Sequence, residues 1–156
     1  MIEGYNWRQI TEQADMEYIC RKIHEGIFSN ERYSIVPGFN TYKCNRRMAY
    51  WLKDWFLEKK IILNEVLNDK GEGIAFFSYV PIDSFRVEGH LCGVYVTQKK
   101  EYSGVWLALI ERKYYKSMGI KQSVSHFSSN NLAILRLEGK LGTQIRNIRY
   151  YFSKLR

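Results

Sequence analysis

Hydrophobic positions change their period along the chain. Over residues 11–28 and 44–60, apolar residues recur every three to four positions, which predicts two amphipathic helices, with Thr11 as the first N-cap. Residues 61–98 then carry short apolar or alternating runs rich in β-branched and aromatic residues. This second pattern predicts a three-stranded antiparallel meander with a tight turn at the segment DKGEG.

The helical period returns in the last third of the chain. It covers residues 104–118, with Gly119 as the stop, and the helix that follows the segment SSNN and ends at Gly142. Strands are predicted over residues 121–127 and 145–152. The predicted order is two helices, three strands, helix, strand, helix and strand, in a single domain spanning 1–156. The apolar face of the last helix should be buried through Ile134, Leu137 and Leu141.

Tryptophans and cysteines fall mainly at core spacing. In the second helix Trp51 and Trp55 share the apolar stripe, so packing is favoured over a nucleic-acid surface, and His24 of the first helix is expected at the surface. The cysteines match neither a zinc pattern nor a disulfide framework, and no metal site is predicted. Buried free thiols in a reducing cytoplasm are expected at Cys20, Cys44 and Cys92.

Length and charge narrow the classes of partner. The 156 residues suffice for one hydrophobic core, and 46% of them are hydrophobic. No apolar run approaches the ~20 residues that span a bilayer, and the N-terminal segment does not read as a signal peptide. The net charge of +8 favours an anionic partner, without choosing among nucleic acid, a membrane surface and a polyphosphate ligand.

The segment TQKKEYSGVW links a predicted strand to a predicted helix. Gly104 lies at the helix start, and Lys99 and Lys100 precede it. The unpaired N–H groups of a first helical turn bind phosphate oxygens, and glycine lets a ligand approach the backbone. The segment is therefore either a phosphate-binding turn or a simple connection.

Layout and two motifs together resemble the GNAT superfamily of acyl-CoA-dependent N-acyltransferases. The pyrophosphate loop of that family reads V-x-P-x-x-[R/Q]-G-x-G-[I/V]-[G/A]-x-x-L. Gly104 aligns with its central glycine. Other positions in the same register are Val96, Gln98, Glu101, Tyr102, Ser103, Val105, Trp106 and Leu109. The resemblance implies a mixed, mostly antiparallel α/β sheet flanked by about four helices, with acetyl-CoA or another acyl-CoA bound at this loop.

Three positions of the loop differ from the family pattern. Glu101 replaces the arginine or glutamine, Tyr102 the first glycine and Trp106 the last small residue. A carboxylate repels a diphosphate, and an indole is expected to crowd it. Main-chain amides can still donate, so binding remains expected.

The second motif begins at the asparagines before the last helix. The family reads N-x-x-A-x-x-L-Y-x-K-L-G-F there, and this chain keeps its N, L and K-L-G positions. The resemblance assigns Asn131 to the cofactor arm, leaving Ser129 or Asn130 to cap; the alternative is that Asn131 is a simple cap. Glu138 occupies the place of a tyrosine that protonates the thiolate. It is either a buried acid with a raised pKa or a solvated side chain without that role.

In the family, a neutral amine attacks the thioester directly while a strand polarises its carbonyl. The resemblance places Val94, Tyr95 and Val96 beside the thioester arm. Candidate bases are Glu65, Glu88 and His90, none singled out by spacing. The acceptor side is similar to the branch that acetylates TDP-fucosamine, which implies substrate contacts by Arg32, Tyr33 and Trp51; Val36 replaces the usual aspartate.

These features predict an N-acetyltransferase for a small amine, with a nucleotide-linked amino sugar as one acceptor. A monomer or homodimer without nucleic-acid or membrane partners is expected. Two alternatives stay open at this stage. The first is a GNAT-shaped protein that binds CoA or a partner without turnover, and the second is a nucleic-acid-binding domain that uses the net charge and the helix over residues 44–58.

Overall fold

One five-stranded sheet organises the chain, with its strands in the order β1-β2-β3-β4-β5. The computed structural model describes residues 5–28, 40–98, 103–129, 131–144 and 146–148. Within these residues the elements are β1 Asn6–Gln9, α1 Gln13–His24, α2 Thr41–Leu57, β2 Ile62–Leu67, β3 Gly73–Pro81, β4 Arg86–Val94, α3 Ser103–Ser117, β5 Gln122–Val124 and α4 Leu132–Lys140.

The predicted meander over residues 61–98 is confirmed as β2, β3 and β4, which pair antiparallel. The turn between β2 and β3 is built on Asn68, whose Oδ1 accepts from the N–H groups of Lys70 and Glu72. Gly71 adopts a φ of 78° there, a conformation that favours glycine. β1, which the sequence did not predict, pairs antiparallel with β2.

Two hydrophobic layers cover the sheet. On one face, here called the α1/α2 face, both N-terminal helices pack on Leu63, Phe76, Leu91 and Tyr95. On the opposite α3 face, α3 packs on β-strand residues that include Val66 and Phe77. The alternation of side chains along each strand sends successive residues to opposite layers.

The helix boundaries correct some details of the prediction. The N-cap of α1 is Glu12, which makes no side-chain capping bond, so the assignment of Thr11 is wrong. α2 begins three residues earlier than expected because Asn40 caps it by accepting from the N–H of Lys43. Trp51 and Trp55 are half-buried against the core, as expected for packing residues, and His24 is exposed.

The last third of the chain is less buried than expected. β5 is only three residues long and exposed, and α4 contains no fully buried residue. Ile134, Leu137 and Leu141 are half-buried, so the expected burial of that helix face is only partial. Gly142 does end the helix, with φ at 80°. The strand predicted over 145–152 lies mostly outside the described residues, and residues 146–148 do not form a strand.

The cysteine prediction holds for two positions of three. Cys20 and Cys44 are buried free thiols, whereas Cys92 on β4 is exposed. Burial raises the pKa of Cys20 to about 11, so this thiol stays protonated at neutral pH. In the described part of the chain, no helix is long and apolar enough to cross a bilayer.

Candidate active site

A bulge interrupts β4 midway along its length. Phe77 pairs with Cys92 but Tyr79 pairs with Gly89, so one residue of β3, Ser78, lies opposite two residues of β4. The Ser78 hydroxyl bridges the irregularity by donating to the carbonyl oxygen of Leu91 at 3.0 Å and accepting from its N–H at 3.1 Å. The extra residue turns two consecutive side chains of β4 toward the α1/α2 face.

β5 pairs with β4 for only three residues. The parallel ladder covers residues 86–88 of β4 and ends where Gly89 lies against Ser125. Beyond that point, no strand within the described residues covers this edge of β4, here called the β4 edge. Because the N–H of Tyr95 donates to Ile74 on β3, strand alternation directs the peptide groups of Val94 toward the β4 edge. The edge therefore offers a backbone donor and acceptor to a ligand.

Helix α3 begins beyond the end of β4. Ser103, the first helical residue, is half-buried and donates its hydroxyl to the carbonyl oxygen of Gln98 at 3.4 Å. Gly104 follows in the first turn, and an ideal Cβ built on it would meet no atom within 4 Å. Packing therefore does not require glycine at this position, and the space over its Cα is open to a ligand. The N–H groups of a first helical turn lack intrahelical acceptors.

The residues flanking Gly104 are only partly covered. Val105 is half-buried, and Val96, in the turn over Val96–Gln98 that follows β4, is exposed. Glu101 and Tyr102, predicted to contact the cofactor, lie outside the described residues. The predicted effect of their side chains on a diphosphate thus stays a prediction.

Trp106 lies against Tyr5 just before β1. The two rings stack with centroids 6.0 Å apart, and Trp106 is 41% exposed. Its side chain also borders a cavity of about 250 Å³ between α3 and the sheet. The apolar lining of this cavity is Val66, Ile74, Ala75, Val94, Leu107 and Ile110.

We expect Trp106→Ala to lower stability by about 1 kcal/mol and leave acetyl-CoA affinity within threefold of the wild type. The loss follows from the aromatic pair and the half-exposed indole surface. Thermal unfolding and calorimetric titration measure the two quantities, with Trp106→Phe as the control that keeps a ring on Tyr5. A large loss of affinity in Trp106→Ala alone would instead place the indole on the cofactor.

Asn131 caps α4 through its own side chain. Its Oδ1 accepts from the N–H of Ile134 at 3.3 Å. The cap was expected at Ser129 or Asn130, and Ser129 does not form it. Asn130 lies outside the described residues. This cap leaves the side-chain nitrogen and the second lone pair of Oδ1 for a cofactor contact by Asn131, and that contact stays a prediction.

Glu138 on α4 is held by an ion pair to α3. Its Oε2 accepts from Arg112 Nη2 at 2.6 Å and from the Thr143 hydroxyl at 2.5 Å, and its side chain is 12% exposed. Its side chain is therefore largely covered, and the carboxyl acts as the acceptor in both hydrogen bonds. The geometry gives no support to the predicted role of Glu138 as an acid.

Sequence reasoning missed a second carboxyl beside this pair. Burial raises the pKa of Glu111, and Tyr115 donates its hydroxyl to this carboxyl at 2.7 Å. Glu111 precedes Arg112, which joins α3 to α4, in a segment whose apolar spacing indicated only a core helix. The i,i+4 spacing of Glu111 and Tyr115 was the available signal.

Glu65, one of the candidate bases, is fully engaged inside the protein. The carboxyl is 2% exposed and accepts from Arg8 Nη2 at 2.8 Å and from the Tyr95 hydroxyl at 2.8 Å. Tyr95 therefore directs its side chain into the α1/α2 layer and not toward the β4 edge. Only its backbone can take the part predicted beside the thioester arm.

Glu88 and His126 form an exposed pair where β4 and β5 meet. The Glu88 carboxylate lies 3.1 Å from His126 Nε2, and both side chains are about half exposed. This contact joins the strands just before they separate. It engages Oε1 of Glu88 without burying the carboxylate.

His90 is held between the two tryptophans of α2. Its ring stacks on Trp55 at 4.6 Å and meets Trp51 edge-on at 4.5 Å. Nδ1 lies 3.2 Å from the Ser78 hydroxyl. Burial lowers the pKa of His90 to about 4, so the imidazole is neutral at pH 7. The structure thus brings together two predicted site residues, Trp51 and His90, from distant parts of the sequence. Arg32 and Tyr33 lie outside the described residues.

The antiparallel meander and the helix that begins past the end of β4 agree with the GNAT layout that the sequence predicted. The sequence matches no protein-family model and no curated protein. Solved structures, by contrast, match almost the whole chain.

Three of these structures illustrate the similarity. A GNAT family acetyltransferase from Elizabethkingia anophelis with acetyl-CoA bound has a TM-score of 0.62 and 16% identity, over 94% of this chain and 80% of that one. An aminoglycoside acetyltransferase from an uncultured soil metagenomic sample has a TM-score of 0.62 and 12% identity, over 97% and 99%. The ribosomal-protein-S18-alanine N-acetyltransferase from Escherichia coli has a TM-score of 0.60 and 13% identity, over 88% and 76%.

This chain therefore has the fold of the GNAT acetyltransferases, and the predicted fold class is confirmed. At such low identities the similarity extends to the fold alone. Two of the three neighbours are named for acceptors, and these acceptors differ, so the names do not indicate which amine this chain would use. The similarity to the TDP-fucosamine branch stays a prediction.

Proposed function

We propose that this chain is a single-domain N-acetyltransferase that transfers an acetyl group from acetyl-CoA to a small amine. The observation that carries the proposal is the alignment of two backbone sites. The peptide of Val94 faces the β4 edge, and the open first turn of α3 at Gly104 lies beyond the end of the same strand. One extended ligand with a diphosphate at one end could use both.

The described residues fit acetyl-CoA at this place. The first-turn N–H groups around Gly104 suit the diphosphate because they carry partial positive charge and need no side chain. The Val94 peptide would hold the arm that carries the thioester, as an added strand does along an unpaired edge. When bound, the cofactor supplies an activated acetyl group.

In this proposal the chain mainly holds the two reactants in place and supplies few reactive side chains. Rigid backbone groups on β4 and α3 would fix the thioester beside the amine, which lowers the entropic part of the barrier. The Val94 N–H would also polarise the thioester carbonyl, because a donor fixed at the oxygen stabilises the charge that develops there. This scheme assigns no acid to α4, because Glu138 is paired with Arg112.

The acceptor is the least defined part of the proposal. A nucleotide-linked amino sugar is one acceptor class to test, since it would complement the net charge of +8. Buried free thiols at Cys20 and Cys44 are compatible with the reducing cytoplasm predicted from the sequence.

Calorimetric titration with acetyl-CoA tests the cofactor, and release of free CoA tests turnover. We expect binding in the micromolar range, and amine-dependent CoA release with at least one member of a panel. The panel would contain an arylalkylamine, a lysine peptide, an aminoglycoside and a nucleotide-linked amino sugar. Absence of both heat and thermal shift with acetyl-CoA would contradict the proposal.

A CoA-binding protein without turnover is the second candidate function. The Arg112–Glu138 pair favours it, because this ion pair occupies the place where the family carries its acid. Binding of acetyl-CoA without CoA release across the whole panel would support this candidate over the enzyme.

A further inference from the structure

We propose that His90 Nε2 takes the proton from the acceptor amine during acetyl transfer. This inference rests on the proposed function and deepens it by naming the residue that handles the proton.

His90 Nε2 is buried and has no hydrogen-bond partner, although nearly all buried polar atoms in proteins have one. In the described part of the chain only one other side chain, that of Asn64, shares this property. An unsatisfied buried group costs about 1–3 kcal/mol. A ligand that brings an N–H group to Nε2 would recover that cost.

The hydrogen bonds around Ser78 determine which nitrogen of His90 carries the proton. The Ser78 hydroxyl has one hydrogen, and it is donated to the carbonyl oxygen of Leu91. With this hydrogen directed to Leu91, the hydroxyl oxygen of Ser78 is the acceptor for His90 Nδ1–H across their 3.2 Å contact, and we assign this tautomer to the ring. In this tautomer Nε2 is the unprotonated nitrogen, and its lone pair has no hydrogen-bond donor within the described residues.

The surroundings keep this lone pair available at neutral pH. Among the described residues, Trp51 and Trp55 from α2 and Ser78 from β3 contact the ring, and none of the three is charged. Burial among them lowers the pKa of His90 to about 4. Glu88, on the same strand, is engaged with His126.

The bulge links His90 to the β4 edge. His90 follows Gly89, the residue where β4 and β5 part, and precedes the segment whose backbone is open at that edge. Glu65, a buried carboxyl on the same face, is held by Arg8 through Oε2 and by Tyr95 through Oε1. Of the three bases considered from the sequence, His90 is the one at this position whose unused acceptor atom is buried.

Acetyl transfer forms a C–N bond, breaks a C–S bond and moves one proton. The amine nitrogen forms a bond to the thioester carbonyl carbon, its N–H proton passes to Nε2, and the C–S bond breaks with its electron pair remaining on sulfur. The proton leaves after the C–N bond has begun to form, when the nitrogen has become strongly acidic. An imidazolium with a depressed pKa then readily returns the proton to the thiolate, which completes the transfer without an acid on α4.

The first test needs no substrate. Nitrogen NMR of ¹⁵N-histidine-labelled protein should show His90 protonated at Nδ1 and neutral down to about pH 5. Protonation at Nε2 in the free protein would overturn the proposal. This readout is independent of whether acetyl-CoA is the cofactor, so its failure differs from a failure of the proposed function.

The second test uses the panel amine that gives the fastest CoA release. His90→Gln should lower kcat about 100-fold or more and leave the calorimetric Kd for acetyl-CoA within threefold. His24→Gln, on the exposed end of α1, is the matched histidine control and should retain wild-type kcat. A kcat for His90→Gln within threefold of wild type, or a large loss confined to Glu88→Gln, would overturn the proposal.

Chemical rescue separates proton transfer from packing. His90→Ala should recover part of its lost turnover when free imidazole is added, because imidazole can occupy the space between the two indoles. Melting curves of both variants establish that they fold. If imidazole restores thermal stability but no turnover, His90 is a packing residue and the proposal fails.

Discussion

Replacing Gly104 with proline is expected to weaken acetyl-CoA binding at least tenfold while the protein remains folded. Gly104 lies in the first turn of α3, where proline is tolerated because the N–H there makes no intrahelical bond. The substitution removes one donor from the proposed diphosphate site. A hydrogen bond to a charged group is worth about 1.5–3 kcal/mol, which corresponds to a 10- to 100-fold change in Kd.

Gly104→Ala is the matched control for this prediction. An alanine Cβ would meet no atom within 4 Å, and the N–H is kept, so affinity should stay within about threefold. The helix should gain up to about 1 kcal/mol from the better propensity of alanine. Calorimetric titration and thermal unfolding measure both variants. Equal affinities for the proline and alanine variants would show that the cofactor does not use this turn.

Replacing Arg8 with alanine should lower the free energy of unfolding by about 2 kcal/mol. Arg8 lies on β1, and it donates through Nε at 2.9 Å and Nη2 at 2.8 Å to the buried carboxylate of Glu65. Removing one partner of a buried ion pair costs about 3–5 kcal/mol because the other charge stays buried; the partial exposure of Arg8 reduces this value.

Asp15→Asn provides the comparison for Arg8→Ala. Asp15 also contacts Arg8, at 3.3 Å, but both side chains are substantially exposed there, so this substitution should cost less than about 0.5 kcal/mol. Urea unfolding at pH 7 gives the two values. A loss for Arg8→Ala no greater than that for Asp15→Asn would mean that Glu65 finds water or another donor. It would also weaken the exclusion of Glu65 as a base.

The sequence alone indicated the importance of Gly104 for binding but not that of Arg8 for stability. Gly104 was recognised from its position between a strand and a helix, because local turn chemistry is written in neighbouring residues. Arg8 gave no such signal. Its partner Glu65 is 57 residues away, and β1, which brings them together, is only four residues long.

Contacts between distant residues also distinguish the three bases considered from the sequence. Glu65, Glu88 and His90 are equivalent when judged by spacing. The structure separates them because their hydrogen-bond partners come from other elements: Arg8 from β1, His126 from the segment after β5, and Ser78 from β3. Side-chain partners at such separations leave no periodic trace in a single sequence.

The motif around Asn131 located the helix correctly, but it did not establish what the Asn131 side chain binds. The N, L and K-L-G spacing located the helix and its stop correctly, since caps and apolar spacing are local properties. The hydrogen bond to Ile134 then shows that the same asparagine caps the helix. A local pattern identified the residue, but only coordinates show what its side-chain oxygen binds.

The sequence by itself determined the order of the main elements, the antiparallel meander and the glycine before a strand-linked helix, because periodicity and turn chemistry act over a few residues. Tertiary structure alone decided the bulge opposite Ser78, the ion pair between Arg112 and Glu138, and the lack of a hydrogen-bond partner for His90 Nε2 among the described residues. These depend on contacts between residues far apart in the chain, where burial and hydrogen-bond geometry determine which polar atom is satisfied and which is left to bind something else.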